Sequence, residues 1–399
     1  MANIVKILVA LRLEYSSNQR FLAGIAKFTR RTSNWQVTIA EHFFDFTADS
    51  IRALQANPFD GIITVSPHNP NILQLLRQLN APIAFIGSLG SNSILQNPKS
   101  LLIQSNNQLH GTKIAKHFHS LGVFRSYAFV ATGVAVEWVD KRQDGFAREL
   151  KNYDAVPITI RSPYPDGTPE DIDYLRQELL HLPKPTAVMG AYDRRAVHIL
   201  QACNIANLKV PDLVQVIGVD NDPMLCDFTH PSLTSLAVNQ IRMGEVTAIE
   251  LNHLITTKSR RSARIILNDA EIIERDSTSP LSPSSHLIIR ALSFIKENLT
   301  SELRPRDVVA YLKVSRALAD KRFRELEGMS IGESITQQRL FRVRKKLRTT
   351  THSIATISKS CGFANPDHAN RLFKRKYGMT MREYRKSFVG HTGKTKERL

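Results

Sequence analysis

The residues that could do chemistry in this chain sit at the ends of short apolar runs. Asp193 follows the run Thr186–Ala191, Asp220 follows Val216-Ile217-Gly218-Val219, Ser66 follows Ile62–Val65, and Glu14 follows the first such run. A carboxylate at a strand end can accept from two hydroxyls, and an arginine can donate two parallel bonds. Such groups around a cleft would encircle a small polyhydroxylated ligand. The plainer role for each is a helix N-cap or a loop ion pair. Catalysis finds little support: there is no G-x-S-x-G elbow, no phosphate-binding loop, no H-E-x-x-H, and no strand-end carboxylate pair beside a nucleophile. The 13 histidines are scattered, with His42, His68, His110 and His230 near loops. Cys203, Cys226 and Cys361 are too few and too dispersed for a disulfide frame or a zinc site. No metal and no cofactor is implied.

A second set of candidates lies in the last 115 residues. From Ser285 to Leu399 there are 26 Lys and Arg against 10 Asp and Glu, whereas the first 284 residues carry 28 against 26. Nearly all of the chain's formal charge of +18 is therefore at one end, as a polyanion-binding surface requires. The same stretch contains one pattern twice. Phe323 and Phe373 are fifty positions apart, Ser315 matches Asn365 as a helix N-cap, Ala319 matches Ala369, and Gly328-Met329-Ser330 matches Gly378-Met379-Thr380. Each copy reads as an apolar helix (Asp307–Leu312, then Ile354–Ser360), a short turn and a capped basic helix ended by Gly. The second turn, Cys361-Gly362-Phe363-Ala364, has the glycine usual in helix-turn-helix units, while Lys313 stands there in the first. Ile331–Leu347 reads as one connecting helix, with apolar residues near 3.6 spacing. Two such units on one rigid connector suit successive major grooves of B-DNA. RNA fits less well, because there is no aromatic RNP strand and no GXXG loop.

The first 275 residues must position the strand-end groups. Apolar runs (Ile4–Ala10, Gly61–Val65, Ile83–Ile86, Tyr127–Val130, Ala155–Ile160, Ala187–Ala191, Val214–Val219) alternate with amphipathic segments (Gln19–Thr29, Ile72–Leu79, Gly145–Lys151, Ile172–His181, Arg195–Ala202). This alternation predicts doubly wound parallel sheets, and the length favours two lobes over one. Ligands of such folds bind beyond the carboxyl ends of the strands. The expected organisation is an α/β two-lobed sensor over 1–275, a Ser/Pro-rich linker over 276–285 (DSTSPLSPSS), an all-α domain with two helix-turn-helix units over 286–388, and a loose basic tail over 389–399. Met1–Leu11 is an apolar run broken by Lys6 without a cleavage pattern, so it reads as a strand, and no stretch approaches the ~20 apolar residues of a membrane span. The expected location is the cytoplasm.

Val314-Ser315-Arg316…Lys321-Arg322-Phe323, Cys361-Gly362-Phe363-Ala364-Asn365…Arg371-Leu372-Phe373-Lys374 and Tyr377-Gly378-Met379-Thr380…Glu383-Tyr384-Arg385 resemble the double helix-turn-helix domain of the AraC/XylS family. Two positions depart from that pattern: Met381 stands where proline is usual, and Leu318-Ala319 replaces a polar residue followed by Leu. By position the resemblance implies that Ala317, Asp320 and Lys321 on the first recognition helix, and Asp367, His368 and Arg371 on the second, face base edges. Arg371 could pair with guanine, and the two aspartates could accept from a cytosine amino group. Arg316, Arg322, Arg324, Lys374, Arg375 and Lys376 read as phosphate contacts, which add affinity without sequence information.

The region 1–275 is similar to the type I periplasmic-binding-protein fold that serves as the sensor of LacI/GalR repressors. The similarity rests on Val210-Pro211-Asp212…Val216-Ile217-Gly218-Val219-Asp220-Asn221, on Pro231-Ser232-Leu233-Thr234-Ser235, and on Arg142-Gln143-Asp144-Gly145-Phe146. It implies that Arg142, Asp193 and Asp220 contact a sugar and that Trp138 walls it, with Ser66 and Asn107 contributing from the opening lobe. A LacI-like sensor followed by an AraC-type domain resembles the xylose-responsive activators. The implied protein is a homodimer that binds direct-repeat half-sites on double-stranded DNA, responds to xylose or a related monosaccharide, and contacts RNA polymerase. The same fold with a degenerate cleft, or with a nucleoside or sugar-phosphate effector, is the alternative. A sugar-modifying enzyme fused to a DNA-binding domain is the alternative from another class.

Overall fold

The computed structural model describes residues 4–392 except 33, 41–45, 67–69, 77, 88–98, 260 and 301; the side chains of 48, 70 and 388–392 are likewise outside the description. His42 and His68 fall among the undescribed residues. The chain divides into Met1–Pro280 and Leu281–Leu399.

The first unit holds two six-stranded sheets. In the first lobe the order is β11-β5-β4-β3-β1-β2, built from β1 (Val5–Ala10), β2 (Trp35–Ile39), β3 (Gly61–Val65), β4 (Ile83–Ile86), β5 (Ser100–Ser105) and β11 (Ala263–Leu267), all parallel. In the second lobe it is β12-β10-β9-β8-β6-β7, from β6 (Ser126–Val130), β7 (Ile158–Ile160), β8 (Thr186–Gly190), β9 (Val214–Val219), β10 (Thr234–Val238) and β12 (Ala270–Ile273). Only the edge strand β12 is antiparallel there. The central strands β1, β3, β4, β6, β8 and β9 are the continuous apolar runs of the sequence, because helices cover both faces of a parallel sheet, whereas the inner strands β5 and β10 are not among those runs. The edge strand β2 (WQVTI) is largely exposed and mixes polar with apolar residues, so hydropathy alone does not reveal it.

Three crossovers join the lobes. The chain passes from β5 into the helix α4 (Asn107–Leu121), from β10 into the helix α9 (Gln240–Thr257), and from β11 to β12. They are tied to one another: Asn106 N donates to Leu267 O at 2.9 Å, Asn239 N to Asp269 O at 3.1 Å, and Asn106 Nδ2 to Asn268 Oδ1 at 2.9 Å. Asn106 and Asn239 also cap the helices that follow them.

Each lobe has one close helix pair. In the first, α1 (Ser16–Thr32) crosses α9 at Gly24 and Gly244. A Cβ on Gly24 would lie 2.0 Å from Ile241 O, and one on Gly244 would lie 1.9 Å from Phe21 O. In the second, α4 crosses α5 (Glu137–Leu150) at Gly111 and Gly145, with Cβ approaches of 2.0 Å to Arg142 O and 1.9 Å to Gln108 O. The glycine in the Arg142-to-Phe146 stretch is thus a helix-crossing residue. The helix there starts at Glu137, eight residues before the expected Gly145, and so carries Trp138 and Arg142. His110 lies on α4, away from loops, and is 1% exposed.

The division between the two units, after Pro280, falls within the segment 276–285, whose first half is bonded to the sensor. Ser277 bonds to Ser232 O, Val216 and Thr234, while Ser279 pairs with Gln215, so 277–279 are bonded to β9, to β10 and to the turn before β10. Ser282 then caps the helix α10 (Pro283–Asn298). Ser/Pro-rich polarity marks the segment as a linker and does not reveal which of its hydroxyls find backbone partners.

The second unit continues with α11 (Pro305–Leu312), α12 (Arg316–Glu327), α13 (Ile331–Thr349), α14 (Ile354–Ser360), α15 (Pro366–Tyr377) and α16 (Met381–Thr392). It has two cores. Ile288, Ile295, Val308, Ala319 and Phe323 pack with Ile331 and Ile335, while Ile357, Ala369, Phe373 and Met381 pack with Leu340, Val343 and Leu347. The connector α13 therefore contributes one half of its apolar stripe to each core. The final helix passes Val389, where a loose tail was expected, and 393–399 lie outside the description.

Candidate functional site

Arg142 stands where the cleft meets the crossovers. It is 6% exposed, and its Nε donates to Asn107 Oδ1 at 2.9 Å. Its Nη1 donates to Ala191 O at 2.5 Å, just past the end of β8, and its Nη2 lies 3.7 Å from Asp220 Oδ1. The guanidinium also sits 4.7 Å from the centre of the Trp138 ring. Burial pulls its pKa down, opposed by the charges of Asp220 and Asp193, and an arginine so placed stays a cation.

Asp193 and Asp220 play different parts. Asp193 opens the helix α7 (Asp193–Ile205), and both of its oxygens have internal partners. Ser235 Oγ donates to one at 2.5 Å, and Asp222 N donates to the other at 2.7 Å. Burial and the neighbouring Asp220 charge push its pKa up to about 7. Asp193 thus braces the loop after β9. Asp220, at φ +109°, turns its carboxyl toward Arg142, and burial raises its pKa against the opposing pull of Arg142 and Arg20. From the first lobe, Arg20 donates to the carbonyls of Asp220 (2.6 Å) and Asn221 (2.7 Å), and Ser16 Oγ donates to Asp222 at 2.7 Å.

These groups border two adjoining cavities. One, of about 370 Å³, is walled by Tyr15, Ser16, Thr132, Tyr192, Asp193, Asp220 and Asp222, among others. The other, of about 260 Å³, reaches Asn18, Gln104, Ser105 and Asn107, and the two share Ser17, Trp138 and Arg142. Thr132 and Tyr192 follow β6 and β8, the adjacent strands at which the second sheet's order reverses, where ligands of open α/β sheets bind. A larger hollow of about 730 Å³ runs past Asp60, Pro82 and Lys99 at the opposite strand ends, so it is remote from this chemistry.

Arg142, Asp193, Asp220, Trp138 and Asn107 are therefore brought together. Ser66 is buried at the end of β3 and is not among the residues walling either cavity, and Glu14 is exposed. Thr132 and Tyr192 were findable by the strand-end rule that picked out Asp220. Arg20, Ser16 and Gln104 carried no local signal.

In the second unit Ser315 Oγ accepts from Leu318 N, and Asn365 Oδ1 accepts from Asp367 N and His368 N, so both recognition helices have their expected caps. Lys313 takes the left-handed turn conformation at φ +56°, as Gly362 does at +88°. On α12, Arg316, Ala317, Lys321 and Arg324 are exposed, with Asp320 and Arg322 half-buried. Arg316 lies 3.6 Å from Asp320, and Arg322 is 2.7 Å from Glu325, with Lys321 4.0 Å from the same carboxylate. On α15, Asp367, His368, Arg371, Lys374, Arg375 and Lys376 are all exposed, and among the described residues no ion pair engages Arg371, Lys374 or Arg375. Two capped helices of one design thus present unequal charge, the second being the more cationic.

Residues 115–278 match the periplasmic binding protein-like domain family, and residues 308–387 match a helix-turn-helix domain family. The xylose operon regulatory protein of Escherichia coli K12 is 27% identical over 376 residues, 92% of this chain and 93% of that one. Among solved structures, the xylose-binding transcription activator xylR aligns with a TM-score of 0.62 at 24% identity, covering 97% of this chain and 99% of the other. A ribose-bound LacI family regulator of Enterococcus faecium aligns at 0.55 and 20% identity, covering 69% and 100%. Fold and site together define a DNA-binding transcriptional regulator with a periplasmic-binding-protein-like sensor. The chain resembles the xylose operon regulators along nearly all its length, with the sensor and helix-turn-helix matches in the order expected of an AraC/XylS-type regulator. Among the described residues no helix is long and apolar enough to cross a membrane.

Proposed function

We propose that the protein is a cytoplasmic transcriptional activator that binds a pentose, xylose or a close relative, between its two sensor lobes. Arg142, Asp220, Trp138 and Asn107 bind the sugar, Asp193 holds Asp220's loop in place, and Ser66 backs the first-lobe wall. The regulator works by binding rather than turnover. As a homodimer it sets paired helix-turn-helix units on direct-repeat half-sites and contacts RNA polymerase. Ala317, Asp320, Lys321, Asp367, His368 and Arg371 read bases, while Arg316, Arg322, Arg324, Lys374, Arg375 and Lys376 hold phosphates.

The observation that carries this reading is Arg142, a buried cation facing Asp220 and Trp138 and bonded to Asn107 beside a lobe crossover. The polar walls and the combined size of the cavities favour an occupied cleft over a degenerate one. Asp193, Asp220 and Asp222 beside the same cavity disfavour a phosphate. The names of the full-length relatives point to xylose. A thermal-shift screen of pentoses, hexoses, uronates and their phosphates tests it. A pentose at a hundredfold excess over its Kd should stabilise the sensor by about 2.7 kcal/mol. Stabilisation by phosphates alone, or by nothing in the panel, would sink the proposal.

A further inference from the structure

The smaller cavity faces the first lobe, and its chemistry differs from that of its neighbour. Among the described residues Arg142 is the one charged residue in its wall; the remaining polar groups are neutral, chiefly Ser17, Asn18, Gln104, Asn107 and Gln240. Two of those amides are engaged. Asn18 Nδ2 donates to Arg12 O at 2.7 Å, and Asn107 accepts from Arg142 while donating to Ser105 O at 3.4 Å. Gln104 differs. It is the penultimate residue of β5, paired in register with Ile266 of β11, and is only 6% exposed, yet among the described residues its buried Nε2 has no hydrogen-bond partner.

A buried amide donor without an acceptor is unfavourable, and the fold keeps it at the wall of a cavity. The terminal amide has both a donor and an acceptor end, and rotation about its last bond exchanges them. A leucine would have filled the same space without an orphaned group. We propose that Gln104 is the specificity residue of the first-lobe half of the effector site, donating its amide to a hydroxyl or ring oxygen of a neutral sugar. This inference rests on the sugar-effector reading above and extends it to the lobe whose contacts the sequence left least defined. A site built around a donor rejects analogues that lack the matching acceptor, because the donor is then left unpaired.

The test uses the full chain and calorimetric titration with xylose, arabinose and ribose, followed by the monodeoxy analogues and the ring-thio analogue of whichever pentose binds tightest. Gln104→Leu and Gln104→Glu both remove the donor at nearly constant size, and tryptophan-fluorescence unfolding shows which variant is folded. The folded variant should bind the pentose about tenfold or more weakly. Parent and variant should converge on the one analogue that lacks the oxygen Gln104 reads. Binding within about twofold of the parent, with every analogue ratio preserved, overturns the role of Gln104 and leaves the sugar-effector reading intact. A parent that binds no pentose overturns both.

Discussion

Replacing Arg142 with methionine separates a ligand contact from a keystone. The family resemblance implies that Arg142 is a sugar-binding side chain. In the structure it is 6% exposed and holds Asn107 Oδ1, Ala191 O and the carboxylate of Asp220. Methionine keeps a similar stem and removes every donor. Breaking one side of a buried ion pair costs about 3–5 kcal/mol, and the orphaned carbonyl and amide oxygens act in the same direction. A sensor with a stability of about 5–15 kcal/mol would remain folded but visibly weakened. Both tryptophans, Trp35 and Trp138, lie in the first unit, so their fluorescence in urea reports the sensor within the full chain. The loss should also depend on pH. Asp220 already has a raised pKa that Arg142 holds in check, so Arg142→Met raises it further. An acid with a raised folded pKa gives stability at low pH that is lost as pH climbs through that pKa. Arg142→Met should therefore cost more at pH 8 than at pH 5. A loss below about 1 kcal/mol, or one equal at both pH values, refutes the keystone role.

Three further perturbations probe other parts of the chain. His110 is 1% exposed, neither ring nitrogen has a partner among the described residues, and burial with the charges of Arg142 and Lys113 pushes its pKa down to about 2. A depressed folded pKa gives stability that is present above the unfolded value and lost as pH falls, so His110→Leu should remove about 1 kcal/mol of acid sensitivity between pH 6.5 and 5.5, read from urea midpoints. Lys313→Gly should stabilise the helical unit by about 1 kcal/mol by relieving a left-handed lysine, whereas Gly362→Ala, whose Cβ would lie 2.1 Å from Leu299 O, should destabilise it; far-ultraviolet circular dichroism at rising urea measures both. Arg371→Ala should cost about 1–3 kcal/mol on cognate DNA and relax one base position, while Lys374→Ala should weaken all sequences alike and flatten the salt dependence; equal loss on cognate and random DNA for Arg371→Ala would remove it from base reading.

What the sequence disclosed were the features that are local. The caps Ser315 and Asn365, the left-handed Gly328 and Gly378, and the buried Phe323 and Phe373 follow from patterns a few residues long, and all stand where the repeat put them. Most strands buried on both faces were equally plain, although β5 and β10, buried along nearly their whole length, lay outside the apolar runs. The edge strand β2 was not plain either, since only neighbours decide which of its residues are covered. Lys313 shows a different limit, because backbone conformation there is set by the helices it joins and not by its own preference. The site was legible as a set of residue types at strand ends and illegible as a network. The partners of Arg142 lie 35, 49 and 78 positions away, distances at which a one-dimensional pattern has no hold.

That network bears on how a bound sugar could act. Asn107, which accepts from Arg142, adjoins Asn106, and Asn106 ties the first crossover to the third through Leu267 O and Asn268. Asp220, which faces Arg142, presents its carbonyl to Arg20 of the other lobe. A ligand that competes for Arg142 or Asp220 therefore perturbs the crossovers and the cross-lobe contact together. Binding shifts a conformational equilibrium only by its differential affinity for the two arrangements. Arg20→Ala should accordingly change sugar affinity although Arg20 walls neither cavity, because it removes the first lobe's bonds to the carbonyls of Asp220 and Asn221. Tighter or weaker binding in the variant, measured by titration with the screened pentose, supports this coupling. Unchanged affinity together with an unchanged sensor unfolding midpoint would remove Arg20 from this coupling.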